Sequence, residues 1–420
     1  MSNKNKYTAA DLAYRQRLPL EIKERMAMTR LREAIHEFGI DGIYEAFSGG
    51  KDSTVLSDLL NRTLIDLGYE DTVSRVFANT GLEWPSIRTF ALSHPNVVQV
   101  RPEKTFKQIL IEYGYPVMNK KVAECVEATR AFIRKAEKSD CKKYKFSLPF
   151  RALRMLGEVP HTEHGEMTDE YSKMYDDSRW QLLLDAPFKI SSKCCLNFKE
   201  KPMAQYAKKT GKIPIVGTMA EESRQRKNVW IQFGCNSFEG KNPMSRPLST
   251  WTEQDILQYV KKYNLDIAEA YGKIRVQTKD EIEGQMTIQE VLEDYRECKL
   301  ETTGEKRTGC IFCMFGINAD KERFKRLAEK EPTLFDYVMR GGEFNGEYWQ
   351  PNNEGLGYWF VLEWLNTFGE TNIVIPDREM YIEKYSNAKT DEILNGSQQL
   401  TIRNKLLQFS KVAKEVKDES

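Results

Sequence analysis

Two groups of residues in this 420-residue chain have the types and spacing to do chemistry. The first is the stretch Glu45 to Leu56, EAFSGGKDSTVL, which follows a short apolar run. Gly49 and Gly50 let a backbone turn tightly and approach a ligand, and the amides of Gly50 to Ser53 would then point outward at a helix N-terminus, an arrangement that attracts phosphate. Lys51 adds a charge, and Ser48 and Ser53 add hydroxyl donors. The spacing is too short for the Walker loop GxxxxGK[ST]. The plainer reading is a Gly-Gly turn in which Asp52 and Ser53 cap the helix. The second group is thiol: Cys194-Cys195 and Cys310-x-x-Cys313. Four thiolates in two tight pairs form one tetrahedral set if the fold brings them together, which suits iron–sulfur or zinc; otherwise they are buried thiols.

These groups need elements to place them. GIYEAF, VSRVFA and VVQV read as short apolar strands, and the first two are followed by helix-length segments, SGGKDSTVLSDLLNRTLIDLG and NTGLEWPSIRTFALS. That rhythm predicts an α/β fold, a doubly wound parallel sheet covered by helices. KIPIVGTM reads as a further strand ending at Gly217, and Thr252 with Asp255 reads as a capping pair opening a helix. Residues 9 to 38 show helical spacing (Leu12, Ile22, Met26, Leu31, Ile35), and 104 to 135 also read as helix. The expected organisation is an N-terminal helical segment over 1–38, an α/β nucleotide-binding domain over 39–275 with a polar insertion at about 136–190, and a mostly helical region over 276–420 that carries the CxxC pair.

Composition bounds the function. The chain is 40% apolar and 11% aromatic, enough for a substantial core, and its 63 basic and 62 acidic residues leave a formal charge of +1. No global charge favours nucleic acid or a membrane surface. There is no apolar run of about 18 residues and no signal-like N-terminus, so a cytoplasmic location and no membrane partner are expected. Eight cysteines in such a chain read as ligands, nucleophiles or core rather than as a disulfide framework. His161 and His164 read as a surface loop. Cys125, Cys141, Cys235 and Cys298 have no ligand spacing; Cys235 is the one to test as a sulfur carrier. The aromatics Tyr348, Trp349, Tyr358, Trp359, Phe360 and Trp364 read as core, with base stacking as the alternative.

At SGGKDS the sequence resembles the PP-loop superfamily (adenine nucleotide alpha hydrolase-like), whose members use SGGxDS to hold the pyrophosphate of ATP or the phosphosulfate of an adenylyl sulfate. FANTGLEWPSIRTF at 77–90, KCCLNFKEKPM at 193–203, IVGTMAEESRQR at 215–226 and SRPLSTWTEQDILQYV at 245–260 resemble, in order, the phosphoadenylyl-sulfate (PAPS/APS) reductase branch. The resemblance covers about residues 40 to 315 and implies a Rossmann-like PP-loop fold. It implies nucleotide contacts at Ser48, Gly49, Gly50, Lys51, Asp52 and Ser53. It extends them to Asn79, Thr80 and Gly81, where Asn79 stands at a common Asp, and to Gly217, Glu222, Ser223 and Arg226, with Arg224 a weaker candidate. Lys199 and Arg246 become candidate anion contacts. A CC pair followed by a distant CxxC is the pattern by which the adenylyl-sulfate-reductase type holds a [4Fe-4S] cluster, so Cys194, Cys195, Cys310 and Cys313 are its expected ligands.

The family's reductases use a cysteine near the C-terminus, and no cysteine follows Cys313 here. A thiosulfonate on such a cysteine is therefore not expected. The sequence is similar to PP-loop sulfurtransferases, including DNA phosphorothioation enzymes, which join an ATP pyrophosphatase site to an iron–sulfur cluster and take sulfur from a cysteine desulfurase. This similarity implies ATP with Mg²⁺ in the loop. Lys51, Asp52 and Ser53 would act in catalysis on an adenylated intermediate that sulfur then attacks, and Asp52 would hold Mg²⁺ or cap the helix. The acceptor is DNA, tRNA or a small molecule. The alternatives are a sulfonucleotide reductase that uses adenylyl sulfate and an external thiol, and a non-catalytic nucleotide-binding regulatory subunit.

Overall fold

The computed structural model describes residues 5–138, 148–163, 166–240, 242–277, 299–397 and 400–418. Cys141, His164 and Cys298 lie outside the described residues. The chain divides into two compact units, one of residues 1–102 and 198–311, the other of residues 103–197 and 312–420.

The first unit is built on a six-stranded sheet. Its strands β1 (Ile43–Ala46), β2 (Ser74–Ala78) and β3 (Val97–Val100) were legible as apolar runs. β1 lies between β2 and the strand Ile213–Val216, parallel to both, with Ala46 opposite Val76 on one side and Val216 on the other. Short strands at Met244–Ser245 and Asn236–Ser237 complete the sheet, and only that last pairing is antiparallel. Strand order therefore reverses beside β1. In open parallel-dominated sheets this reversal opens a crevice at the carboxyl ends of the strands.

Helix α1 (Ala9–Gln16) starts with a capping box, in which the Thr8 hydroxyl accepts from the Asp11 amide. Helices α2 (Leu20–Phe38) and α3 (Lys51–Asp66) follow. Along α3, Val55, Leu56, Leu59, Leu60 and Leu64 recur at helical spacing and are wholly buried, packed with Leu31 and Ile35 of α2 and with Ile256 and Tyr259 of the helix Glu253–Tyr263. That last helix opens on the expected box: the Thr252 amide donates to Asp255 Oδ2 at 2.6 Å and the Asp255 amide to Thr252 Oγ1 at 3.3 Å. Asp255 also accepts Lys23 Nζ at 2.6 Å in a pair with side chains 2% and 9% exposed, which ties α2 to this helix. Among the described residues no helix is long and apolar enough to cross a membrane.

The second unit is mostly helical. The span 104–135 is two helices, Phe106–Tyr113 and Lys120–Lys138, interrupted by Val117–Met118, which pairs in parallel with Met314–Phe315. The polar stretch read as an insertion includes the helix Phe150–Leu156, the antiparallel strands Pro160–Glu163 and Glu166–Tyr171, and a 3₁₀ segment Ser178–Asp185. His161 lies in the first of those strands. The aromatic segment is core: Trp349, Tyr358, Trp359, Phe360 and Trp364 are at most 1% exposed, and the Trp349 and Trp359 indoles donate to the carbonyls of Gly357 and Gly341. Burial removes these five rings from any base-stacking role.

Candidate nucleotide-binding site

The loop 48–53 leaves the end of β1 and enters α3, whose N-cap is Gly50, with no side chain capping the helix. Gly49 has φ +70°, and a Cβ there would come within 2.9 Å of the Ile87 carbonyl oxygen, so this turn requires glycine. The two serines brace it. Ser48 and Ser53 hydroxyls lie 3.1 Å apart, Ser53 Oγ donates to the Gly50 carbonyl at 2.8 Å, and the Gly50 amide donates to Ser48 Oγ at 3.3 Å. Asp52 and Ser53 therefore do not cap the helix: the Ser53 hydroxyl donates to the Gly50 carbonyl rather than accepting an orphan helix amide.

This loop opens on a cleft of about 1200 Å³ lined wholly by the first unit. Ser48, Gly50, Lys51, Asp52 and Ser53 form one wall, and Gly217 sits across from α3, where a Cβ would come 3.2 Å from the Asp52 carbonyl oxygen. Glu222 and Arg226 line the cleft as an ion pair, Glu222 also accepting the Met219 amide at 2.8 Å. Lys199 lines it beside the helix Lys201–Thr210. That helix and the strand Ile213–Val216 supply an apolar wall: Met203, Ala204, Ala207, Ile213 and Val216.

Other expected residues stand elsewhere. Asn79, Thr80 and Gly81 do not line the cleft. They form a turn after β2 held by Glu83, which accepts from Thr80 Oγ1 at 2.6 Å and from the Thr80 amide at 3.2 Å, while Asn79 donates to Gln99 at 3.0 Å. Ser223 caps the helix Arg224–Phe233, accepting from the Arg226 amide. Arg246 donates to Ser237 Oγ at 3.3 Å and lies near Cys235, beside a second cleft of about 650 Å³. Burial pushes the Cys235 thiol up, which keeps it protonated and works against a nucleophilic sulfur carrier.

The main cleft also holds residues that no motif singled out. Lys51, 4% exposed, has its ammonium 3.3 Å from Glu253, 3.6 Å from Asp52 and 3.3 Å from the Lys306 carbonyl. The Lys51 amide donates to Tyr271 Oη at 3.1 Å, and Tyr271 Oη lies 2.6 Å from Thr308 Oγ1. Arg307 and Thr308 line the same cleft. Their only sequence signal was proximity to Cys310. Burial opposes the charge on Lys51, but Asp52, Tyr271 and Glu253 outweigh it and hold the ammonium above its ordinary value. Burial raises the Asp52 carboxyl, Lys51 opposing and Glu253 reinforcing the rise. Burial also lowers Arg226, with Asp52 supporting and Arg307 repelling its charge. The cleft is thus a mixed field in which two arginines repel each other, an arrangement that an anion would relieve.

The cysteines divide between the units. Cys310 belongs to the first; Cys194, Cys195 and Cys313 belong to the second. Cys194 is buried on the short helix Lys193–Cys195, and the other three are half-buried. Cys313 Sγ accepts the Phe315 amide at 3.4 Å, and the Cys313 carbonyl accepts Arg323 Nη1 at 2.9 Å. Among the described residues no three His, Cys, Asp or Glu side chains are gathered to hold a metal. The chemistry of four thiols suits an iron–sulfur cluster.

A glycine-turn phosphate loop between a parallel strand and a helix, opening at the strand-order reversal, defines a PP-loop nucleotide-binding α/β domain. Residues 151–313 match the phosphoadenosine phosphosulfate reductase domain. Over that segment the chain is similar to the phosphoadenylyl-sulfate reductase family of the PP-loop superfamily. The matched segment includes Lys199, Gly217, Glu222, Arg226 and all four paired cysteines and begins after the phosphate loop. A search of curated proteins gave no match. Among solved structures the chain is similar to the phosphoadenylyl-sulfate reductase of Candida auris in its phosphate complex, at 13% identity and a TM-score of 0.30, over 58% of this chain and 82% of that one. Similarity at this level adds nothing to what the sheet order establishes.

Proposed function

We propose that the cleft binds ATP and that the chain is an AMP- and pyrophosphate-forming sulfurtransferase. The observation that carries the nucleotide reading is the glycine turn at the N-terminus of α3 with Lys51 held beside a cleft large enough for a nucleotide. The β- and γ-phosphates would occupy the loop, and the base would lie against the apolar wall of Met203, Ala204 and Val216. A substrate oxygen attacks the α-phosphorus, the bond to the bridging oxygen breaks, and pyrophosphate leaves. Lys51, Ser48 and the outward amides stabilise the charge that builds on it. Asp52 Oδ1 is buried without a hydrogen-bond partner among the described residues, which fits a carboxylate that would hold Mg²⁺; the ion would neutralise phosphate charge. The terminal sulfur of a persulfide donor, such as a cysteine desulfurase, then attacks the adenylated acceptor and displaces AMP, and a second thiol cleaves the resulting donor–acceptor disulfide, leaving sulfur on the acceptor and a disulfide between that thiol and the donor.

The test is product analysis: ATP should yield AMP and pyrophosphate, and Lys51→Ala should lower that rate by about 10²-fold. Release of ADP would refute the reading. The family match favours a second reading, adenylyl sulfate in the same cleft with an external thiol as reductant. Sulfite release in the presence of thioredoxin, with no pyrophosphate from ATP, would select it. We propose a [4Fe-4S] cluster on Cys194, Cys195, Cys310 and Cys313 as a separate matter, and no step above passes through it. Anaerobically purified protein should then carry iron and acid-labile sulfide that Cys310→Ser and Cys313→Ser remove; zinc in their place would refute it.

A further inference from the structure

We infer that the hydroxyls of Tyr271 and Thr308 form a fixed donor pair that contacts the phosphate oxygens of the bound nucleotide. The inference rests on the reading of the cleft as a phosphate site and adds two contact residues to it.

The geometry begins with the Lys51 amide, at the first turn of α3. It is not open to a phosphate, because it already donates to Tyr271 Oη at 3.1 Å. Since that oxygen accepts from Lys51, the phenol's own proton must point elsewhere. Among the described residues its one hydrogen-bonding partner is Thr308 Oγ1 at 2.6 Å. Two hydroxyls carry two protons, and a single bond between them uses one. The second proton has no acceptor in any hydrogen bond among the described residues. It belongs to a pair at the lip of an anion-attracting cleft that both residues line. A hydroxyl that accepts from an amide is also polarised toward donation.

The pair is held in place rather than free to swing aside. The Tyr271 side chain is buried, and its turn is stapled to the segment before Thr308: the Gly304 amide donates to the Tyr271 carbonyl and the Glu305 amide to the Ala270 carbonyl, each at 2.8 Å. A Cβ at Gly304 would come within 2.3 Å of the Ala270 carbonyl oxygen, so that close approach depends on glycine. A Cβ at Gly50 would come 3.1 Å from Tyr271 Oη and 3.6 Å from Thr308 Oγ1, which places both hydroxyls directly against the loop. Donors fixed before the charge arrives need no reorganisation to meet it.

The experiment measures binding of inorganic pyrophosphate with Mg²⁺ to the full-length chain by isothermal titration calorimetry. Tyr271→Phe and Thr308→Ala should each weaken binding by about tenfold, the range for a hydrogen bond to a charged group, and Thr308→Ser should restore it. Thr308→Ala leaves the Lys51–Tyr271 bond in place, so its loss does not come from a rearranged loop. Unchanged or tighter binding by both variants would overturn the inference, as would loss in Tyr271→Phe alone. A wild-type chain that binds no pyrophosphate would instead refute the underlying phosphate site.

Discussion

Glu45 stands three residues before the phosphate loop, on β1, and is wholly buried. Its Oε2 lies 3.4 Å from Arg75 Nε, while Arg75 donates to Ser57 of α3 at 2.5 Å and to Asp71 at 2.6 Å. The ion pair favours a charged carboxyl, but neither Glu45 oxygen meets hydrogen-bond geometry with a partner among the described residues, and burial wins, pushing the group up to about 8. An acid whose folded value lies above its unfolded value of 4.5 weakens the fold as pH rises. Below about 4.5 both states are protonated and nothing is lost; from there to about 8 the unfolded chain releases its proton first, and beyond about 8 the loss is constant. Glu45→Gln should therefore gain stability over wild type between about pH 5 and pH 8, by a few kcal/mol at most, in urea denaturation at a series of pH values. An equal difference at both ends would mean that Arg75 keeps Glu45 ionised throughout. Sequence showed Glu45 only as part of a strand, because its partners come from β2 and α3 and carry no motif. Ser53 was legible for the opposite reason: Ser48 and Gly50, which its hydroxyl meets, are its near neighbours in the chain.

At the scale of elements, the loop 48–53 and helix α3 depend on one backbone turn. Gly49 and Gly81 both have positive φ, +70° and +74°, yet a Cβ at Gly49 meets Ile87 O and Ala91 Cβ at 2.9 Å while one at Gly81 meets nothing within 4 Å. Gly49→Ala should thus cost the conformational strain plus a backbone clash, about 2–4 kcal/mol, and abolish pyrophosphate binding. Gly81→Ala should cost about 1 kcal/mol and leave binding intact. Chemical denaturation and calorimetry on the two variants measure both quantities; equal costs would show that the turn beside the helix Pro85–Ser93 relaxes freely. The βα rhythm was readable because each strand is an apolar run and α3 repeats its apolar positions at helical spacing. The stretch 136–190 was not, since what holds it is remote in sequence. Arg130, buried on the helix Lys120–Lys138, donates to the carbonyls of Leu183, Leu184, Ala186 and Phe188 at 2.8–3.0 Å, an arrangement that leaves no periodicity in the segment it stabilises.

At the scale of the whole molecule, the chain passes between its two units three times, after Pro102, Asn197 and Ile311. The last passage falls inside the Cys310-x-x-Cys313 motif, a division that local spacing cannot reveal because it depends on which remote segments each cysteine joins. The cleft, by contrast, lies wholly in the first unit, with its floor from β1 and α3 and its lip from Tyr271 and Thr308. Each unit has its own buried aromatic groups: Trp230 and Trp251 in the first, Trp349, Trp359 and Trp364 in the second. A ligand confined to one unit stabilises the states in which that unit is folded, and openings of the other unit that leave the cleft intact gain nothing. Saturating pyrophosphate with Mg²⁺ should therefore slow amide exchange by at least about tenfold in peptides covering 48–56, 268–273 and 304–309. Peptides covering 358–369 should exchange as before, although they are buried just as deeply. Hydrogen–deuterium exchange read by mass spectrometry resolves these segments, and equal protection of 358–369 would show that the two units open only together.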